Sequence, residues 1–297
     1  MPLAVLVMNT SSVSFSPEPL TDRQRTALIV LLADEDPAVY QTVRAKLLSY
    51  GHGVREWLKP HLLSNDPVTR RRVVEIIDFL ARQDSDNEFL TFCLRQAGDF
   101  DLEDAIWLLA KTQYPGINSD AYRALLDSYA STLRERLEPK LEAQQVLATI
   151  NQLLYEELGF SGNEKNYYEA ENSYLNLVLD RRTGNPISLC MVYLLLGRRL
   201  RLPMTGIGLP GHFVCRYQTS TVEYYVDAFN RGKLLTKANC IEYLVQSHHG
   251  FEESHLAPVT SRRMLLRICA NLHQIHSQSQ DDAGADRIQR YIVALAK

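Results

Sequence analysis

The stretch GNPISLCMVYLLLGRRLRLPMTGIGLPGHFVCRY, Gly184 to Tyr217, decides how this chain reads. Asn185-Pro186 opens a helix: Asn accepts from first-turn N–H groups, and Pro suits a first turn that has no use for its missing donor. From Pro186 to about Leu200 apolar residues lie on nearly every side, so this helix should be packed all round and central. Arg198 and Arg199 sit at its carboxyl end, where cations are favoured. After Pro203 the texture changes. MTGIGL, HFVCRYQ and, further on, EYYVDAF predict short strands rich in β-branched and aromatic residues. A buried helix followed by a small antiparallel sheet is an α+β core.

The same stretch carries the candidate chemistry. A hairpin with its turn centred on Thr219-Ser220 would set His212 opposite Asp227, with Cβ atoms about 5 Å apart. A carboxylate beside an imidazole fixes its tautomer and stabilises its cation, which is two-thirds of a nucleophile–base–orienter triad. The third member should come from the start of the helix, where free N–H groups stabilise a thiolate or an oxyanion. Cys190 lies on the face of Ile187 but roughly 4 to 5 Å deeper. Its neighbours Leu189, Met191 and Leu194 should keep it a buried thiol. Ser188 is nearer the tip but points elsewhere, and Cys215 falls on the face of its strand opposite to His212.

Working outward, the 297 residues suffice for one large domain or several small ones. A net charge of -3 gives no sign of a nucleic-acid or anionic-membrane partner. The five cysteines are scattered and form no C-x-x-C pair, which fits reduced thiols in a cytoplasmic protein and no zinc ribbon. No apolar run is long enough to span a bilayer. Residues 1–20 read as a flexible tail, with Met8 as an alternative start. Over residues 21–98, LTDRQRTALIVLLADEDPAVYQTVRAKLLSYG and VREWLKPHLLSNDPVTRRRVVEIIDFLARQ share a layout. Asp36-Pro37 and Asp66-Pro67 fall about thirty positions apart, as in a HEAT-like helical repeat. Further helices are expected in FDLEDAIWLLAKTQYPG, SDAYRALLDSYASTLRERLEP, KLEAQQVLATINQLLYEELG and NSYLNLVLDRRTG, the last capped by Asn172. Residues 246–297 end in a helix pair of tetratricopeptide character. HHGFEESH clusters His248, His249, Glu252, Glu253 and His255 at no familiar metal spacing and reads as a polar turn.

GFSGNEKNYYEAENSYLNLVLDRRTGNPISL, RRLRLPMTGIGLPGHFVCRY and VDAFNRG together resemble the transglutaminase-like domain of bacterial SirB-type proteins, over roughly residues 100 to 245. The resemblance implies a papain-like core, a central helix on an antiparallel sheet, for residues 99–245. It also implies a Cys at the helix start, then a His and an Asp on neighbouring strands. His212 and Asp227 match the last two. The nucleophile position falls at about Ile187, as it does in SirB-type proteins that lack the thiol, and a slip of three residues would be needed to promote Cys190. Asn185, Ser188, Tyr168 and Asn172 are the binding candidates around this centre, with Tyr167 and Asn176 nearby.

The whole therefore predicts a mainly helical α+β protein: HEAT-like repeats, a transglutaminase-like core and C-terminal helices. The expected function is a degenerate site in a protein-interaction or regulatory module with a protein partner. It needs no cofactor and no metal. The alternatives are a thiol hydrolase or acyltransferase using Cys190, His212 and Asp227, and a ligand-binding cleft without turnover.

Overall fold

The computed structural model describes residues 20–95, 100–138 and 140–296. Residues 1–19 of the expected tail, Met8 included, lie outside them. The chain divides into two compact units, Met1–Gln83 and Asp84–Lys297, and the division falls inside one helix.

The first unit is helical. α1 (Asp22–Leu31) opens on a Thr21–Gln24 capping box, and α2 (Pro37–Leu48) on Asp36, whose carboxylate accepts from the Ala38 N–H at 2.8 Å. α3 (Val54–Leu58) has only five residues and runs into a 3-10 turn, Lys59–Leu63. Pro60 cannot donate to an α-helical ladder, so VREWLKPHLL does not match the long helix of the preceding segment. α4 (Pro67–Arg95) starts at Asp66, which accepts from the Thr69 N–H at 2.8 Å. Leu32, Leu47, Val54, Leu58, Val73, Ile76 and Leu80 form the core of the unit. Arg72 closes the end of α1, where its guanidinium donates to the Leu32 and Asp34 carbonyls.

The second unit takes up α4 from Asp84, and Phe89 and Cys93 join its core. It continues with α5 (Leu102–Gln113), α6 (Ser119–Arg136) and α7 (Ala143–Asn151). The single long helix expected to end at Gly159 is instead α7 followed by a π-helical turn, Gln152–Glu157. β1 (Ser161–Gly162) pairs in parallel with β2 (Thr183–Gly184), a contact no periodicity signalled. Between them lies α8 (Leu175–Arg181), which ends at Arg182 in the left-handed region (φ 55°). Asn172 does not cap α8. It sits in the preceding 3-10 turn, and its Nδ2 donates to the Asn166 and Tyr167 carbonyls.

α9 (Pro186–Arg199) is the central helix: every residue from Pro186 to Gly197 is buried. Its far end is fixed by Arg199, whose guanidinium forks onto both oxygens of buried Glu103 at 2.9 and 3.0 Å. α9 packs on one face of a four-stranded antiparallel sheet of order β3 (Met204–Ile207), β4 (Val214–Gln218), β5 (Glu223–Asp227), β6 (Lys233–Leu235). Alternation along β4 sends Cys215 and Tyr217 toward the core that holds α9. It sends Val214 to the other face, where α10 (Lys237–Gln246) adds Cys240 and Leu244. α11 (Ser261–Gln278) and α12 (Asp282–Ala296) close the unit.

The β4–β5 register differs from the expected one. Cys215 pairs with Val226 and Gln218 with Glu223, so the turn centres on Ser220-Thr221. Each partner is shifted by two residues, Asp227 pairs with Lys233 of β6, and His212 lies ahead of β4. The Thr219 side chain moves the turn: its Oγ1 accepts from the Thr221 and Val222 N–H groups.

Candidate active-site cleft

His212 is placed by a tight turn. Its N–H donates to the Leu209 carbonyl at 3.1 Å, with Pro210 and Gly211 between them and Gly211 at φ +72°. Pro at the second position and a positive φ at the third are the pattern of a type II turn. From there the imidazole reaches diagonally to β5, and His212 Nε2 lies 2.9 Å from Asp227 Oδ2. Phe229 and Tyr243 flank the ring at 6.3 and 5.8 Å between centroids.

Asp227 is held from the other side by Asn230, whose Nδ2 donates to Oδ2 at 2.8 Å and whose N–H donates to Oδ1 at 3.1 Å. Burial pushes the Asp227 carboxyl up, but the bonds from His212 and Asn230 outweigh it and hold the group below the usual carboxylate range. The turn carrying Asn230 is itself fastened to the π-helical segment. The Arg231 guanidinium donates to the Tyr155 carbonyl, and Asn151 Nδ2 donates to the Gly232 carbonyl. Gly232 has φ +72°, and a Cβ there would lie 2.0 Å from Asn151 Oδ1, so a larger residue would be strained and would displace the Asn151 side chain.

The start of α9 faces His212 across a cleft of about 310 Å³. Its walls include Asn185, Pro186 and Ile187, the turn Gly211–Phe213, the Tyr167 and Tyr168 rings, and Arg267, Asn271 and Gln274 of α11. A second cavity of about 460 Å³ lies on the far side of the pair, lined by Asp227, Lys233, Asn239 and Tyr243, so His212 is the partition between the two.

Of the site residues expected from sequence, the structure brings His212 and Asp227 into contact and leaves Cys190 apart. Cys190 is fully buried, its Sγ donates to the Phe213 carbonyl at 3.4 Å, and it does not line the cleft. Burial, with the neighbouring Cys215 thiol, pushes the Cys190 thiol well above its ordinary value. Cys215 in turn donates to the Cys190 carbonyl at 3.6 Å. Ser188 is buried and tied down: its N–H donates to Asn185 Oδ1 at 3.0 Å and its hydroxyl to the Asn185 carbonyl. Asn185 lines the cleft, and its Nδ2 donates to Ser173 Oγ at 2.9 Å. Tyr168 stands at the mouth, 60% exposed. Asn172 and Asn176 are buried and absent from the walls.

The helix start therefore presents an isoleucine where the resemblance implies a thiol. A family model described as transglutaminase-like superfamily matches residues 120–270, about half of the chain. The chain belongs to the transglutaminase-like superfamily. A UPF0162 protein of Xylella fastidiosa (strain 9a5c) is 36% identical over 196 residues, 62% of this chain and 69% of that protein. A UPF0162 protein of Pseudomonas aeruginosa is 27% identical over 209 residues, 68% of this chain and 74% of the other. Human F-box only protein 21 is 34% identical over 179 residues, 58% of this chain but 27% of that protein. No solved structure matches the chain significantly.

Sequence reading missed the α11 wall of this transglutaminase-like cleft. Its signal was present, since Arg267, Asn271 and Gln274 recur at i, i+4 and i+7 on an amphipathic helix whose buried face is Met264, Leu265, Ile268, Cys269 and Leu272. It also missed Asn230, although VDAFNRG was one of the segments that carried the resemblance. His248 and His255 engage the polar turn they belong to, through the Gln246 carbonyl and the Glu252 N–H. Among the described residues no group of three or more His, Cys, Asp or Glu could hold a metal ion, and no helix is long and apolar enough to cross a membrane.

Proposed function

We propose that this chain is a transglutaminase-like protein whose site has lost its nucleophile and serves a protein-interaction or regulatory role without turnover. One observation carries the reading. The cleft keeps a His212–Asp227 pair, but the helix start facing it offers Ile187, with Cys190 sealed against the Phe213 carbonyl. Covalent catalysis needs its nucleophile within hydrogen-bond reach of the base and beside oxyanion donors. Cys190 is past the first turn of α9 and held as a thiol, so it meets neither need.

The finer assignment is to the SirB-type branch, with residues 99–245 as core and residues 246–297 as tetratricopeptide-like helices. It draws support from the antiparallel α11–α12 pair and from the quoted motifs. The paired Asp-Pro helix starts support a HEAT-like reading of residues 21–98. A cytoplasmic location fits five unpaired cysteines. In human F-box only protein 21 the matching segment is a minor part of a longer polypeptide, as suits a portable module.

The test is incubation of the full-length protein with casein and a fluorescent primary amine, and with a panel of fluorogenic amides and esters. No product should form above that of His212→Ala. Turnover that depends on His212 and is stopped by iodoacetamide would replace this reading with the thiol hydrolase or acyltransferase.

A further inference from the structure

One wall of the cleft is a single stripe of α11. Arg267, Asn271, Gln274 and Ile275 stand at i, i+4, i+7 and i+8, while Met264, Leu265, Ile268, Cys269 and Leu272 bury the other side of the helix. The polar members of the stripe are under-used. Arg267 Nη2 donates to the Leu209 carbonyl at 2.7 Å, and the guanidinium carbon lies 5.6 Å from the Phe213 ring centroid. These contacts fix the fork in place, yet no carboxylate pairs with it among the described residues, and no Asp or Glu lines the cleft. The Asn271 and Gln274 carboxamides make no side-chain hydrogen bond among the described residues. The asparagines around the rest of the site are engaged: Asn185 with Ser173, Asn230 with Asp227, Asn151 with Gly232.

We infer that the α11 side of the cleft binds a carboxylate-bearing peptide, with Arg267 gripping the carboxylate and Asn271 and Gln274 pairing with the peptide groups behind it. This deepens the reading of a cleft without turnover and rests on it. A planar guanidinium with one side anchored matches a carboxylate's two oxygens, whereas a phosphate dianion would call for further cations, and Arg267 is the one Lys or Arg among the residues of this wall. A carboxamide offers a donor and an acceptor together, which complements a peptide unit. The distance fits as well. Seven residues of helix from Arg267 to Gln274 rise about 10 Å, the length of roughly three extended residues. The Tyr167 and Tyr168 rings give such a segment an apolar wall. The carboxylate comes from the C-terminus of a polypeptide or from an acidic side group. The C-terminus fits the single cation at one end of the stripe.

The test is a titration of the 15N-labelled full-length protein, followed through the backbone amides of Gly211, Asn271 and Gln274. Three probes are used: N-acetyl-Ala-Ala-Ala with a free carboxylate, the same peptide as its C-terminal amide, and N-acetyl-Ala-Glu-Ala amide. The free acid should shift these signals and bind about tenfold or more tighter than its amide, the discrimination expected of a charged hydrogen-bonded pair. Arg267→Gln should remove that advantage, and Arg267→Lys should keep part of it. Asn271→Ala, at a partly exposed position that makes no side-chain hydrogen bond among the described residues, should weaken the acid with the fold untouched, so the proposal stays testable if Arg267→Gln unfolds. Equal binding of acid and amide, or no shift at the cleft with any probe, would overturn it. Preference for the Glu probe would retain the carboxylate site and assign its ligand to an acidic side group. Probe mass is read after each titration. Cleavage would overturn the reading without turnover while leaving the carboxylate site standing, and absent binding with intact probes would remove the carboxylate site alone.

Discussion

The two lips of the cleft have different characters. On the sheet side, His212, Asp227 and Asn230 form a closed set of hydrogen bonds, fastened through Arg231 and Asn151 to the π-helical segment. On the helix side, the first turn of α9 is held as firmly, by Asn185, but presents a hydrocarbon. The sheet-side groups stabilise the turns that close the fold whether or not anything reacts, because a buried carboxylate needs its partners. A nucleophile has no such second duty, since an isoleucine fills the same space. A base and its orienter can therefore persist structurally after the residue they would serve is gone.

That contrast is sharpest if a thiol is placed at the helix start. Ile187→Cys should give a residue that iodoacetamide alkylates on the order of a hundredfold faster at neutral pH than Cys190, whose thiolate is suppressed by burial. Peptide mapping over time reads the rate, and equal rates at both positions would mean that the helix start is not the reactive end. Next in size, Asp227→Ala should cost about 3 kcal/mol, the scale for removing one partner from a buried pair. Urea unfolding measures it, and a loss under about 1 kcal/mol would deny the sheet side its structural role. On the helix side, Asn185→Ala removes both the cap on Ser188 N–H and the bond to Ser173, for about 2 kcal/mol by the same measurement.

The smallest effect is in pH. Asp227 has a folded pKa below its ordinary value of 3.8, so the unfolded chain binds its proton first as pH falls. Its contribution is fully present above about pH 4 and is lost as pH drops through the depressed folded value. Unfolding midpoints between about pH 2 and 6 should fall more steeply for the native protein than for Asp227→Asn, and parallel curves would contradict the assignment.

Much of this was legible because local rules agreed. Asn185-Pro186, a helix apolar on nearly every side and three short strands rich in β-branched and aromatic residues pointed to one α+β core. The His212–Asp227 contact was reached by a register that is two residues out. The side chains meet because an imidazole is long enough to reach diagonally from the Pro210-Gly211 turn, not because the two residues face each other in a ladder. Thr219 decided the turn through a side-chain bond that no strand pattern encodes. Asn172 looked like a cap because it precedes a helical run, but it belongs to loop chemistry set by Asn163 and Asn166. The π-helical turn and the β1–β2 pair were out of reach for a different reason, since both depend on contacts distant in sequence. Arg267, Asn271 and Gln274 were visible as a periodic stripe, but the sequence could not show that a cleft lay in front of it.

Every cysteine in the protein is buried, and all five lie at or beyond Cys93 in the larger unit. That distribution makes the thiols a ruler of transient opening. Under native conditions each reacts only when its surroundings separate, so the rate at each position reports a local free energy of exposure. Cys190 and Cys215 time the parting of the central helix from the sheet, Cys240 times the release of α10, and Cys93 and Cys269 time the loosening of the core around the end of α4 and α11. The smaller unit has no cysteine and stays silent, so the order in which the larger one comes apart can be followed without interference.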